Sequence, residues 1–270
     1  MVSLQPRFRE DQVAIVTSFI RHHFIESEAR GIVLGMSGGV DSSLVAALCV
    51  RAVEGGKVVG VWGGEGPAKG ADYDDAADWA KELGIELRTY DIAPLVSAFQ
   101  QHLRFPKDRR VAEGNRKARI RMVLLYAIAN TENRIVMGTG NKSEIACGYS
   151  TKFGDGGVDF LPIGDLYKTQ VREMAAFLGV PKNIIEKVPT AGLWQGQTDE
   201  DELGIRYEDL DRVLLGIEIH LTPEEIAAQA GVPIAKVRHV ESLVAKGAHK
   251  RKPPLIPKIG IRTFGLDWRE

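Results

Sequence analysis

Residues 31–43 read Gly-Ile-Val-Leu-Gly-Met-Ser-Gly-Gly-Val-Asp-Ser-Ser, and no other stretch restricts the fold as tightly. Ile32, Val33 and Leu34 make a short apolar strand, a turn of Gly and Ser follows, and Leu44, Val45 and Leu48 carry a helix that opens at Asp41 or Ser42. A strand turning directly into a helix presents the unpartnered N–H groups of the first helical turn, and the positive end of the helix dipole, to whatever lies above it. That arrangement favours an anion, and phosphate above all. Gly38 and Gly39 let the backbone come close to an oxygen-rich ligand, while Ser37, Ser42 and Ser43 add hydroxyl donors.

A Walker loop places Gly-Lys-Ser/Thr here, because a lysine reaches the terminal phosphates. This loop has no lysine and carries Asp41 instead. A bare carboxylate repels a phosphate, so Asp41 makes sense beside one if a divalent cation bridges them. The plainer alternative is that Asp41 caps the helix. Spacing alone leaves both open.

The 270 residues allow one large domain, or one domain with a small appendage. With 44% hydrophobic and 26% charged residues the chain can build a substantial core, and its net charge of -1 gives no electrostatic case for binding nucleic acid or a membrane. Cys49 and Cys147 are the only cysteines, which points to a reducing compartment rather than a disulfide framework; Cys49 falls in the helix after the Gly-rich turn, as a small buried hydrophobe. Residues 1–11 are polar with no apolar signal core, and no later run approaches the ~20 apolar residues of a membrane span. A soluble cytoplasmic protein is the expectation.

Strands at 58–62, 85–90 and 134–137 alternate with helices at 10–28, 71–83, 94–102 and 113–131. The alternation predicts an α/β fold: a doubly wound parallel sheet with helices on both faces. Ligands of such sheets sit outside the carboxyl ends of the strands. The loop 63–70 should stand beside the Gly-rich turn, its glycines either admitting an adenine or ribose or merely turning the chain. A basic, irregular stretch at 104–110 leads into the 113–131 helix. There Arg119 shares a face with Met122 and Tyr126, so at least one arginine of that helix should be held near the interior, as an anionic substrate would require.

The strand at 134–137 runs straight into Gly138-Thr139-Gly140-Asn141-Lys142-Ser143-Glu144, a second strand-to-loop site opening on the same edge. Thr139 is placed to donate to phosphate or ribose. Glu144 stands where a second carboxylate could join Asp41 on Mg2+, or is simply a surface helix residue. The Gly-rich, charged loop 151–159 is long enough to cover a ligand. Lys168 begins a helix through 169–178, where its ammonium can sit among phosphates. Residues 188–205 form a polar, turn-rich linker, either a mobile lid or a surface loop. Helices at 208–215, 222–230 and 234–245 follow, and the last pair, with Arg238, His239 and Lys246, has the outline of a DNA-reading helix-turn-helix. Few of its side chains suit base edges, and the chain lacks the positive charge such proteins carry.

Ser37-Gly38-Gly39-Val40-Asp41-Ser42-Ser43 resembles the SGGxDS signature of the ATP pyrophosphatase superfamily, which GMP synthetases, asparagine synthetases and tRNA-modifying enzymes share. The later motifs are more discriminating. Gly114-Asn-Arg-Lys-Ala-Arg-Ile-Arg-Met122, the 138–144 loop, Lys152-Phe-Gly-Asp-Gly-Gly157, Pro189-Thr-Ala-Gly-Leu-Trp194 and His249-Lys250-Arg251 occur in the order found in ammonia-dependent NAD synthetases, and the resemblance spans residues 10–257.

This resemblance implies a single domain over 1–270 of the adenine nucleotide alpha hydrolase-like kind, with a helical C-terminal part from about 206. It implies ATP binding by Gly35, Met36, Ser37, Gly38, Gly39, Val40, Asp41, Ser42, Thr139, Lys168 and Thr190, with Asp41 and Glu144 on Mg2+. Arg119, Lys152, Asp159, His249 and Lys250 would bind deamido-NAD, partly across a homodimer. The implied reaction amidates deamido-NAD with ammonia through an acyl-adenylate, giving NAD, AMP and pyrophosphate, the last step of NAD biosynthesis. Lys168 would neutralise charge, and Asp155 would position ammonium or take its proton. About thirty residues precede the Gly-rich turn, which leaves no room for a glutaminase or nitrilase domain, so ammonia arrives free or from a separate partner. The segment 63–70 departs from the family pattern, which leaves adenine contacts there open. A tRNA-modifying or thiolating pyrophosphatase would instead call for a cysteine pair and an RNA-binding basic surface, and neither is evident.

Overall fold

The computed structural model describes residues 4–103, 109–194 and 196–261. In chain order the elements are α1 (Asp11–Glu26), β1 (Gly31–Gly35), α2 (Val40–Val53), β2 (Val58–Gly64), α3 (Ala71–Glu82), β3 (Glu86–Asp91), α4 (Ala93–Leu103), α5 (Arg110–Glu132), β4 (Arg134–Met137), α6 (Lys142–Cys147), α7 (Lys168–Phe177), α8 (Lys182–Ile185), α9 (Asp199–Leu203), α10 (Tyr207–Glu218), α11 (Pro223–Ala230) and α12 (Ile234–Gly247). Most of the irregular stretch expected at 104–110 lies outside the described residues.

The four strands form one sheet in the order β3-β2-β1-β4, all parallel. Side chains alternate across it with period two. Ile32, Leu34, Val58, Ile135 and Met137 pack on one face against Val13, Val16 and Ile20 of α1, Leu44 and Leu48 of α2, and Trp79 of α3. Val33, Val59, Val61 and Val136 pack on the other against Ile128 and Ala129 of α5. Each such aliphatic side chain taken fully out of water contributes about 1.5–3 kcal/mol, and β1, β2 and β4 are covered on both faces, as parallel strands require, while the edge strand β3 has no fully buried residue.

From β1 the chain winds outward through β2 and β3, then returns to place β4 on the opposite side of β1. The direction of winding reverses between β1 and β4, the point at which sheets of this kind place a ligand crevice outside the strand ends. The turn at 36–39 and the loop at 138–141 both enter that crevice.

The C-terminal helices build a second core. Tyr207, Leu210, Val213 and Leu214 of α10 meet Ile226 of α11 and Val237 and Val240 of α12, together with Cys147 of α6 and Tyr167. Three short helices depart from the sequence expectation. α6 falls in a stretch read as loop, α8 in one to which the sequence pattern assigns no element, and the linker 188–205 contains α9, whose first turn holds Asp199, Glu200, Asp201 and Glu202 with Thr198 as N-cap. Acids at a helix start are favoured by the dipole, so charge that looks like linker polarity is helix chemistry. Among the described residues no helix is long and apolar enough to cross a membrane, and both cysteines are buried free thiols.

Candidate active site

The turn after β1 is built from backbone. Met36 N–H donates to the Val61 carbonyl at 2.9 Å, and its side chain is buried. Gly38 has φ of +75°, and a Cβ there would lie 2.1 Å from the Asp72 carbonyl oxygen at the start of α3, so no other residue fits. Ser42 Oγ donates to the Gly39 carbonyl at 3.0 Å and receives Ser37 N–H at 3.2 Å, bracing the turn from within. Gly35 ends β1, and Val40 opens α2 with its side chain in the core.

Asp41 does not cap α2. The N-cap is Gly39, Asp41 is the second residue of the helix, and no side chain makes a capping hydrogen bond there. Its Oδ2 accepts from Lys168 Nζ at 2.5 Å and its Oδ1 from Asn141 Nδ2 at 2.9 Å. The same ammonium donates to Glu144 Oε1 at 3.1 Å. Side-chain exposure is 3% for Lys168, 18% for Asp41 and 17% for Glu144, so Glu144 is no surface residue. Asn141 and Glu144 form a capping box at the start of α6, which aims Asn141 at Asp41 and Glu144 at Lys168. Burial raises the Glu144 carboxyl to about 7, with Lys168 opposing and Asp41 and Asp199 reinforcing the shift. Burial pulls the Lys168 ammonium down, but Asp41 and Glu144 hold it above its ordinary value.

Behind Lys168 lies a polar layer absent from the sequence reading. The ammonium stands 5.1 Å from the Tyr207 ring centre. Tyr207 and Tyr149 hydroxyls each donate to Asp199 at 3.1 Å, and Asp199 N–H donates to the Pro189 carbonyl at 3.0 Å, tying the root of the 188–198 segment to the site. Ser143 Oγ donates to Asp211 at 2.5 Å while accepting from Lys168 N–H, and Asp211 also accepts from Thr169 N–H at 2.8 Å. A buried carboxylate on α10 thus holds the N-terminus of α7, and with it the Lys168 backbone.

Of the residues expected around a second substrate, Arg119, Lys152, His249 and Lys250 are linked by hydrogen bonds to residues 148–152 or to one another. Arg119 donates to the Lys152 carbonyl at 3.2 and 3.3 Å, and Lys152 Nζ donates to the His249 carbonyl at 2.8 Å. Lys250 Nζ donates to the carbonyls of Gly148 and Ser150 at 2.6 and 2.5 Å. Asp155 Oδ1 accepts from Thr151 N–H at 2.7 Å. Asp159 accepts from Val136 N–H at 2.7 Å and from the Tyr126 hydroxyl at 2.8 Å, so both of its oxygens serve the scaffold. Arg119 is exposed; the arginines drawn inward are Arg116, whose side chain is 12% exposed, and Arg121, about half a turn from Arg119, which donates to the Gly63 carbonyl at 2.7 Å. Thr139 follows β4, and Thr190 is exposed with Oγ1 accepting from Gly192 N–H at 3.1 Å.

A cavity of about 300 Å³ opens at the carboxyl ends of β2 and β3, lined by Trp62, Tyr90 and the 66–68 turn. The 63–70 loop is therefore a wall of a space as well as a turn. The helix-turn-helix outline dissolves in the fold: α12 packs on α6 and α11, and His239 is turned onto the Leu203 carbonyl at 2.8 Å.

The NAD synthase family model matches residues 12–254. An NH3-dependent NAD+ synthetase of Methanocaldococcus jannaschii is 46% identical over 252 residues, covering 93% of this chain and 97% of that one. Among solved structures, an NMN synthetase from Francisella tularensis superposes with a TM-score of 0.82 at 35% identity, covering 93% of this chain and 98% of that one. An NH3-dependent NAD synthetase from Campylobacter jejuni does so with 0.78 at 30% identity, covering 92% and 98%. The similarity thus runs along almost the full length of these proteins, and the chain belongs to the NAD synthase family.

Proposed function

We propose that this protein is an ammonia-dependent NAD synthetase, converting deamido-NAD, ATP and ammonia to NAD, AMP and pyrophosphate. The observation that carries this reading is the meeting of Asp41, Glu144 and Lys168 at the crevice between β1 and β4, beside a turn shaped for phosphate.

The nicotinate carboxylate must approach the α-phosphorus of ATP, and both are anionic. The N–H groups at the start of α2 and the Lys168 ammonium oppose that repulsion and hold the phosphates in line. Two carboxylates face one ammonium here, with the Asp199 carboxylate behind, in a pocket dry enough to raise Glu144. Such hard oxygen donors with excess negative charge suit Mg2+, so Asp41 and Glu144 are the residues that would hold it. Bound there, Mg2+ would supply charge neutralisation for the polyphosphate. Carboxylate oxygen and α-phosphorus join as pyrophosphate leaves; ammonia then adds to the activated carbonyl and AMP departs. Asp155, held through Thr151 N–H, is the carboxylate of the 151–159 loop that takes the proton from the incoming nitrogen. Thr139 and Thr190 flank the phosphates. Arg119, Lys152, Asp159, His249 and Lys250 contact the dinucleotide, and the cavity beside Trp62 and Tyr90 accepts an aromatic base.

A homodimer fits the exposed apolar residues Ile15, Phe19 and Ile25 of α1. Two buried free thiols suit a cytoplasmic location.

The test is NAD and AMP formation from deamido-NAD, ATP, Mg2+ and ammonium by the purified protein. No pyrophosphate release with deamido-NAD present defeats the reading. The likeness to a protein named as an NMN synthetase gives the second reading; a higher kcat/KM with the deamidated mononucleotide than with deamido-NAD would establish it. Light scattering tests the dimer.

A further inference from the structure

The phosphate turn carries no lysine, yet the fold delivers one to it from 149 residues along the chain. Lys187 Nζ donates to the Gly38 carbonyl at 3.1 Å, to Asp72 Oδ1 at 2.7 Å and to Asp75 Oδ2 at 2.5 Å. Among the described residues, Lys168 and Lys187 are the two cations whose ammonium groups hydrogen-bond to residues 35–42. Lys168 is nearly buried and paired with both Asp41 and Glu144, so it approaches the phosphates from the carboxylate side. Lys187 is held less evenly. Asp75 is 17% exposed, whereas Asp72 is 56% exposed and competes with water for its partner. A water-exposed ion pair contributes little and exchanges readily.

We propose that Lys187 binds the β- and γ-phosphates of ATP, keeping Asp75 and exchanging Asp72 and the Gly38 carbonyl for phosphate oxygens. The proposal rests on the ATP-dependent reading above and deepens it. Adenylation expels pyrophosphate, the most charged fragment in the reaction, and a cation on the turn that cradles it stabilises the departing group. At 24% side-chain exposure Lys187 is free enough to turn toward a ligand in the crevice. Connectivity adds a second consequence. Thr190 follows by three residues, so it lies within about 10 Å of Lys187 along the backbone, and Asp199 N–H steadies the Pro189 carbonyl between them. An ammonium on the phosphates therefore draws Thr190 toward them. The lysine that a Walker loop carries within itself is here supplied by the segment that leads to Thr190.

Calorimetric titration with adenosine 5′-(α,β-methylene)triphosphate, which cannot be adenylated onto a substrate, measures this without turnover. Lys187→Met should weaken binding about tenfold or more, as loss of a charge-assisted hydrogen bond does, and weaken inhibition by inorganic pyrophosphate in proportion. Lys187→Arg should stay within about threefold of native, since the charge is retained. AMP, which lacks the β- and γ-phosphates, should bind native protein and Lys187→Met alike. Equal weakening of AMP and the triphosphate would make Lys187 a structural pin of the turn and overturn the proposal, as would triphosphate binding by Lys187→Met within twofold of native. Native protein that binds no triphosphate would instead remove the ATP reading itself, and this proposal with it.

Discussion

Asn141 donates from Nδ2 to Oδ1 of Asp41 at 2.9 Å, joining the loop after β4 to the first turn of α2 across 100 residues. The same side chain caps α6 through its oxygen, which accepts from Glu144 N–H at 3.0 Å. One fully buried amide thereby sets the orientation of both carboxylates. Asn141→Ala should cost about 1 kcal/mol as a lost cap, a fall in Tm of roughly 2–4 °C for a chain of this size. It should raise the Mg2+ concentration for half-maximal activity by about 10–100-fold, as loss of a supporting partner does. Thermal melts and a Mg2+ titration measure the two separately; a stability loss with no change in Mg2+ demand would reduce Asn141 to a cap.

Asp41→Asn removes one negative charge while keeping the shape, and Glu144 still partners the Lys168 ammonium. The fold should therefore persist, with circular dichroism unchanged. Activity should fall at least ~100-fold, the scale of losing one electrostatic contact to a developing charge. Near-native activity in this variant would end the metal-ligand role.

The Glu144 carboxyl, raised by burial to about 7, makes the site pH-dependent. A protonated carboxyl does not ligate a cation, so Mg2+ affinity should weaken as pH falls below about 7 and level off well above it. The sign for stability is opposite. An acid whose folded value lies above its ordinary one destabilises the folded state as pH rises from the ordinary carboxylate range through that folded value. The metal-free protein should thus lose some stability between pH 5 and 8, and Mg2+ with ATP should restore it. A metal-free Tm and a Mg2+ Kd that are both flat across this range would contradict the shift.

Gly148 and Gly247 meet where α6 crosses α12. A Cβ on Gly247 would lie 2.8 Å from the Cys147 carbonyl oxygen, and one on Gly148 would lie 2.5 Å from the Gly247 Cα. Gly247→Ala must push α12 away from α6, at about 1–3 kcal/mol, and carry His249 and Lys250 with it. The expected result is a raised KM for the dinucleotide with the KM for ATP little changed. A rise in both would show that the displacement reaches the phosphate turn.

Much of this was legible beforehand. Alternating apolar strands and helices placed the parallel sheet, because Ile32, Val33 and Leu34 must be buried on both faces and only flanking helices do that. The two strand-to-loop junctions at 36–39 and 138–141 followed from the sheet rule, and Asp41 and Glu144 met as a pair. Asn141 carried a readable signal, Asn followed three residues later by Glu, which is a capping box. Lys187, Asp199 and Asp211 carried none. Each reaches the site from a helix or linker whose local pattern describes only its own surface, and only tertiary packing brings it in. Arg121 rather than Arg119 turned inward because the long arginine stem can snorkel between neighbours to a carbonyl such as that of Gly63, beyond the resolution of a helical wheel.

The spread of the site along the chain also bears on its synthesis. Asp41 waits 127 residues for Lys168, and Gly38 waits 149 for Lys187. A ribosome that has delivered the sheet and both carboxylates has made an anion-lined crevice with neither of its cations. If Lys168 and Lys187 hold the phosphates as proposed, no fragment ending before residue 168 has the cations ATP needs. On that reading the nascent chain has no complete seat for the nucleotide until Lys168 and then Lys187 have been added.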